Sequence, residues 1–129
     1  MSGEVVRIGI ALVEQQGQFL VGVREADTVL AGRHEFPGGK CEADESPVAC
    51  AVRECREETG LVVEAREIVA EIEHEYPHGR LQLTFVRCEP VNPAAVIADR
   101  FHWVPRADLR SLNFPAANEA VVELLVDAT

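Results

Sequence analysis

The segment Arg53-Glu54-Cys55-Arg56-Glu57-Glu58-Thr59-Gly60-Leu61 constrains the fold more than any other part of the chain. It sets glutamates at i, i+3 and i+4 and then stops at a glycine. Upstream, Ser46 followed by Pro47 reads as a helix N-cap and the residue favoured at the first helical position. Gly60 is a natural stop just past the other end. Between those bounds Val48, Val52, Cys55 and Thr59 recur at steps of four, three and four, the spacing of a core-facing stripe. At about 100° per residue, Glu54 and Glu58 fall within roughly 40° of each other at the edge of that stripe, with Glu57 on the adjoining flank. Like charges at this spacing cost a helix a few tenths of a kcal/mol, so helix propensity does not account for them. A hard divalent cation such as Mg²⁺ takes oxygen ligands and shares them with substrate phosphates, which would turn the repulsion into ligation. The glutamates are therefore expected to border a cleft rather than project fully into solvent.

The formal net charge of −10 argues against a general nucleic-acid-binding surface, which needs a basic stripe. It fits a polyanionic substrate only if metal ions, with a few arginines beside them, supply positive charge locally. A chain of 129 residues has the length of one domain, and no repeat, low-complexity tract or linker divides it, so a single domain over 1–129 is expected. Cys41, Cys50, Cys55 and Cys88 form no C-x-x-C pair and no zinc-type spacing. With no secretory signal either, reduced thiols in a cytoplasmic protein are expected. The apolar run Val5 to Val13 is interrupted by Arg7 and falls far short of the ~20 residues that span a bilayer, so no membrane partner is expected.

Val5 to Val13 reads as a largely buried strand, Gln15 to Gln18 as a turn and Phe19 to Val23 as a second strand, together a hairpin. Residues 25–34 are loop-like. Beyond the central helix, residues 61–75 and 81–88 read as strands joined around the turn cluster Tyr76-Pro77-His78-Gly79. Phe101 to Val104 is a short strand halted by Pro105, and Asn118 to Val126 a closing helix with Val121, Val122, Leu124 and Leu125 available for burial. Strands interleaved with two main helices indicate an α/β class with a mixed sheet.

Extended upstream to Gly39 and Glu45, the glutamate segment reads G-x5-E-x7-R-E-C-x-E-E-x-G-L. It resembles the Nudix box at every fixed position. Cys55 fills a slot where an aliphatic residue is usual, and cysteine behaves as a small hydrophobe. Glu35-Phe36-Pro37-Gly38-Gly39-Lys40, Glu75-Tyr76-Pro77 and Phe114-Pro115-Ala116-Ala117-Asn118-Glu119 resemble, in order, the MutT branch of that family. The resemblance implies the Nudix α/β/α sandwich, with the Nudix helix and a C-terminal helix packed on a mixed sheet. It also implies Mg²⁺- or Mn²⁺-dependent attack of water on a nucleoside triphosphate, yielding a nucleoside monophosphate and pyrophosphate.

By the same resemblance Glu54, Glu57 and Glu58 hold the metal ions with the Gly38 carbonyl, and Glu54 is the preferred general base. Asp99 has two readings, a late acidic ligand or a solvated loop residue. Arg53 is expected to pair with Glu45 or Glu54, fixing its rotamer and keeping it ionised. Arg24 and Lys40 are expected to flank the cleft, where an arginine fork suits phosphate, and Glu35 and Pro37 belong to the same substrate-facing motif. Phe36 walls the base pocket or belongs to the core. Asn118 is read both as a base-recognising carboxamide and as the N-cap of the last helix. His34, His74, His78 and His102 show no ligand spacing and are expected to be structural or exposed. Cys50 and Cys55, i,i+5 on the helix, are poorly placed for a shared metal or a disulfide. An oxidised purine nucleotide such as 8-oxo-dGTP is the expected substrate. CTP or a modified dCTP is the enzymatic alternative, and a non-catalytic nucleotide-sensing module the alternative of another class.

Overall fold

Side chains along β1 (Glu4–Gln15) alternate between two buried faces: Ile10 and Leu12 enter one core cluster, Ala11 and Val13 the other. A strand buried on both sides belongs at the centre of a layered structure. The computed structural model, which describes residues 4–26, 31–77 and 79–127, places β1 there. Its partner on one side is β6 (Gly79–Pro90), parallel from Glu4↔Gly79 to Val13↔Cys88, and β5 (Val63–Tyr76) runs antiparallel to β6 beyond it. On the other side β4 (Gly38–Lys40) pairs antiparallel through Ile8↔Lys40 and Ile10↔Gly38. The far end of β1 turns into β2 (Gln18–Val23), which pairs with β3 (His34–Glu35) and β7 (Phe101–Pro105). The expected hairpin is present, but only two residue pairs join β1 to β2 before β2 leaves to build its own antiparallel ladder.

Helix α1 (Pro47–Thr59) covers the Ala11 and Val13 face. The Ser46 hydroxyl accepts from Ala49 N at 3.1 Å, and Gly60 closes the helix at φ 82° with its N–H on the Arg56 carbonyl. On the other face α2 (Ala116–Asp127) joins a cluster of Ile10, Leu12, Phe19, Phe85 and Phe114.

The core stripe of α1 needs correction. Cys55 and Thr59 are buried as expected, but the remaining fully buried positions are Cys50 and Ala51, with Val48 and Val52 half-buried beside them. The reason is the closeness of approach. A Cβ on Gly9 of β1 would lie 2.5 Å from the Pro47 carbonyl and 2.8 Å from Ala51 N, so small residues hold the contact and the valines fall at its margin. In α2, Val121, Val122 and Leu125 are buried, whereas Leu124 stays 53% exposed because it lies off the arc they define. That helix starts two residues earlier than expected, with Asn118 N bonded to the Pro115 carbonyl at 2.9 Å. Asn118 therefore sits within the first turn and is not the N-cap. His78 lies outside the described residues, among which no helix is long and apolar enough to cross a membrane.

Replacing Gly9 by alanine should force α1 away from β1. Because overpacking typically costs about 1–3 kcal/mol, the variant should show a lower midpoint in urea unfolding with an unchanged slope, while Ala11→Gly on the same strand should lack that steric signature.

Candidate active site

The box carboxylates reach the sheet because a glycine admits them. A Cβ on Gly39 would lie 2.4 Å from Cδ of Glu54 and 2.5 Å from its Oε1. One residue earlier, Gly38 N donates to Glu58 Oε1 at 3.0 Å. Glu54 and Glu58 thus stand against β4, with side chains 17% and 26% exposed, while Glu57 at 58% looks outward.

Arg53 ties the acidic residues together. Its Nε and Nη2 donate to the two oxygens of Glu45 at 2.7 and 2.8 Å, a parallel fork that fixes both groups. Nη1 donates to Glu54 Oε2 and to both oxygens of Glu57 at 3.1 Å, and Nη2 also reaches the Lys40 carbonyl. The expected pairing with Glu45 or Glu54 is therefore a pairing with both, and with Glu57 as well. Hydrogen bonds from Arg53, then the Glu42 N–H, pull the Glu45 carboxyl down to about 2, and the Arg53 guanidinium is pushed further up by the same contacts. The loop carrying Glu45 is stapled from β1, where Arg7 donates to the carbonyls of Glu45 and Glu42 at 2.8 Å.

Glu58 behaves oppositely. Burial, reinforced by the nearby charges of Glu35 and Glu54, pushes its carboxyl up to about 7 against the opposing pull of Gly38 N–H and Arg100. Among the described residues, no three His, Cys, Asp or Glu groups stand together as a ready metal cluster. Arg53 draws Glu54 and Glu57, and Gly38 N holds Glu58, so a cation would have to compete for carboxylates already engaged. The donor set still suits a hard ion: oxygen ligands at i, i+3 and i+4, one of them disfavoured as an anion by burial and by the like charges of Glu35 and Glu54, which a cation would offset.

Next to this edge lies a cleft of about 560 Å³ lined by Ile8, Ile10, Phe36, Leu81, Leu83 and Ala117, with Arg24, Arg33, Glu35, His74 and Asn118 as its polar members. A polar recess of about 270 Å³, lined by Arg24, Glu25, Glu35, Gly38, Glu58 and Arg100, adjoins it through Arg24, Glu35 and Gly38. Arg24, Glu35, Phe36, Gly38 and Asn118 are thus brought together as expected. Phe36 fills both of its readings, since it lines the cleft and stacks on Phe114 with ring centres 4.8 Å apart. Asn118 lines the cleft, and among the described residues its carboxamide makes no hydrogen bond.

Other expectations fail. Pro37 is fully buried, and its carbonyl accepts from Ala11 N at 2.8 Å, a sheet contact rather than a substrate-facing one. Lys40 lines neither cavity and contributes its carbonyl to Arg53. Of the two readings of Asp99, its exposed position outside both cavities matches the solvated loop residue, and it is its neighbour Arg100 that enters the recess. Sequence reasoning missed Arg7, Arg33, His74 and Arg100. Only Arg7 left a trace, as the one charge inside an apolar strand. Burial pushes the thiols of Cys50 and Cys88 up to about 12 and that of Cys55 up to about 11, and all three are free.

The raised Glu58 carboxyl has a definite sign in stability. Between about pH 4.5 and 7 the folded chain holds a proton there that the unfolded chain has released, so stability falls as pH rises through that window. In EDTA, the urea midpoint should therefore drop between pH 5 and pH 7.5, and Glu58→Gln should flatten that drop. An identical pH trend in both proteins would show that Glu58 is not its source.

A family model for the NUDIX domain matches residues 9–124. The 8-oxo-dGTP diphosphatase of Escherichia coli (strain K12) is 29% identical over 123 residues, covering 93% of this chain and 95% of that protein. The CTP pyrophosphohydrolase of the same organism is 39% identical over 72 residues, covering 56% of this chain and 53% of that protein. Among solved structures, the MutT protein of methicillin-resistant Staphylococcus aureus 252 is similar with a TM-score of 0.78 at 27% identity, covering 96% of this chain and 97% of that one. With helices packed on a mixed sheet, an intact box and a family match spanning nearly its whole length, the chain belongs to the Nudix family and is a Nudix hydrolase.

Proposed function

We propose that this chain hydrolyses a nucleoside triphosphate to the monophosphate and pyrophosphate, and that an oxidised purine deoxynucleotide such as 8-oxo-dGTP is its preferred substrate. The observation that carries this reading is the pairing of two spaces. An apolar cleft containing Asn118 meets, at Arg24, Glu35 and Gly38, the recess that holds Glu58. A base fits the first, beside Phe36 and the aliphatic residues, and its phosphates then run toward the box. The likeness to the 8-oxo-dGTP diphosphatase along nearly the whole chain supports the same assignment.

Nudix hydrolases generally need divalent metal ions such as Mg²⁺. Mg²⁺ or Mn²⁺ held by Glu54, Glu57 and Glu58, with the Gly38 carbonyl, would neutralise phosphate charge and lower the pKa of an attacking water. Glu54 would take the water proton, while Arg53, itself fixed by Glu45, keeps that carboxylate aimed. Arg24 offers its fork to a phosphate. Asn118 accepts from the N7–H of the oxidised base and donates to O6. Normal guanine presents an acceptor at N7, leaving the carboxamide oxygen mismatched. The enzyme is read as one domain, 1–129, working on free nucleotides in the cytoplasm with no nucleic-acid or membrane partner.

A second reading, CTP or a modified dCTP as substrate, draws on the CTP pyrophosphohydrolase relative, whose similarity covers about half of this chain, 56%. A panel of triphosphates assayed for pyrophosphate release separates the two. The first reading expects 8-oxo-dGTP to lead in kcat/KM, and a much faster turnover of CTP would overturn it. An unsatisfied polar group costs roughly 1–3 kcal/mol, so Asn118→Ala should shrink the preference for 8-oxo-dGTP over dGTP by roughly 5- to 150-fold. Glu57→Gln and Glu58→Gln should each lower kcat by about 100-fold or more, since metal charge stabilisation amounts to several kcal/mol. Both variants should keep the parent's fold by circular dichroism. Full activity in both variants would refute the ligand assignment.

A further inference from the structure

The short ladder of β3, β2 and β7 collects three charged groups at one edge. Gly22 pairs with Glu35 on one side and with Phe101 on the other, so Arg24, Glu35 and Arg100 converge although the chain separates them widely. Glu35 spans the pair, with Oε1 2.9 Å from Arg24 Nη1 and Oε2 2.7 Å from Arg100 Nη1. Arg100 is held further by the Val23 carbonyl at 3.2 Å and by the Phe101 ring, whose centre lies 4.4 Å from its guanidinium carbon. Its other terminal nitrogen, Nη2, stands 3.7 Å from Glu58 Oε2, with the two side chains 29% and 26% exposed. One half of the guanidinium is thus anchored by hydrogen bonds, and the other half faces a box carboxylate across an ion-pair distance without a directional bond.

We propose that Arg100 is a positioning residue that balances the charge of Glu58 while no metal is bound and competes with a divalent cation for that carboxylate. Anchored through Glu35 and Val23, it stays in the recess when it yields Glu58, and its free nitrogen then faces the space a phosphate chain would enter. The arrangement disfavours binding of the bare cation and favours its arrival with nucleotide, whose phosphates replace Glu58 as the anionic partner of Arg100. This rests on the reading of Glu58 as a metal ligand.

The test is direct titration of the full chain with Mn²⁺ in the absence of nucleotide, followed by electron paramagnetic resonance of the free ion. Removing one positive charge within a few ångströms of a doubly charged ion should tighten Mn²⁺ binding about three- to tenfold in Arg100→Met, and retaining it in Arg100→Lys should leave the affinity within about twofold of the parent. A merely structural role predicts weaker or unchanged binding in Arg100→Met, so the sign separates the two. In steady state Arg100→Met should raise KM for the metal–triphosphate more than it lowers kcat. Unchanged or weaker Mn²⁺ binding in Arg100→Met, or equal tightening in Arg100→Lys, would overturn the proposal. Should Arg100→Met fail to fold by circular dichroism, Glu35→Gln takes its place: with Glu58 left as the only carboxylate facing Arg100, Mn²⁺ binding should weaken, and an unchanged affinity would count against the idea. A parent protein that binds no Mn²⁺ at all would instead sink the metal reading beneath it.

Discussion

Helix α1 lies so close to β1 and β4 that neither Gly9 nor Gly39 has room for a Cβ, and this approach brings Glu54 and Glu58 against the backbone of the sheet. A wider spacing would leave the same glutamates on a solvated helix face, where their repulsion is screened. At the observed spacing Glu58 loses water and feels Glu35 and Glu54, which raises its carboxyl to about 7 even though the Gly38 N–H and Arg100 pull the other way. The chemistry of the site is therefore a consequence of packing distance before it is one of residue type.

Charge is managed around that contact by arginines, each fixed by more than one partner. Arg53 binds Glu45 bidentately and reaches Glu54 and Glu57, Arg7 holds the loop behind Glu45, and Arg100 bridges Glu35 and Glu58. These differ in kind from the ion pairs on the outer surface, such as Arg110 with Glu123 and Asp127. Exposed pairs of that sort contribute little to stability, whereas groups held by several hydrogen bonds at a cleft edge define geometry. In a chain with a net charge of −10 the recess sets two guanidinium groups, Arg24 and Arg100, among the carboxyl groups of Glu25, Glu35 and Glu58, so a bound cation would have to supply the positive charge that a polyanion needs.

The helix carrying the box was legible to the residue at both ends, because a serine cap, a proline and a glycine stop act through local backbone geometry. The burial of the strand from Val5 to Val13 and the hairpin turn after it were legible for similar reasons. Errors appeared where a neighbour decides the outcome. Val48 and Val52 matched a core stripe by periodicity, yet Ala51 and Cys50 took the centre because the facing strand presents a glycine. Leu124 is as apolar as its buried neighbours and stays exposed. Asn118 suited an N-cap by type, but the helix begins at Ala116, which leaves its carboxamide to the cleft.

Sequence alone determined that glutamates at i, i+3 and i+4 share one helix edge behind a basic residue, since a helix fixes those angles without outside help. It could not determine that Arg100 rather than Asp99 enters the recess, that Pro37 is spent on the sheet, or that His74 and Arg33 line the cleft. Those outcomes depend on which strand ends the ladder of β3, β2 and β7 sets side by side, and on the register of β5 against β6. Pairings of that kind join residues from distant parts of the chain, and no local rule of spacing records them.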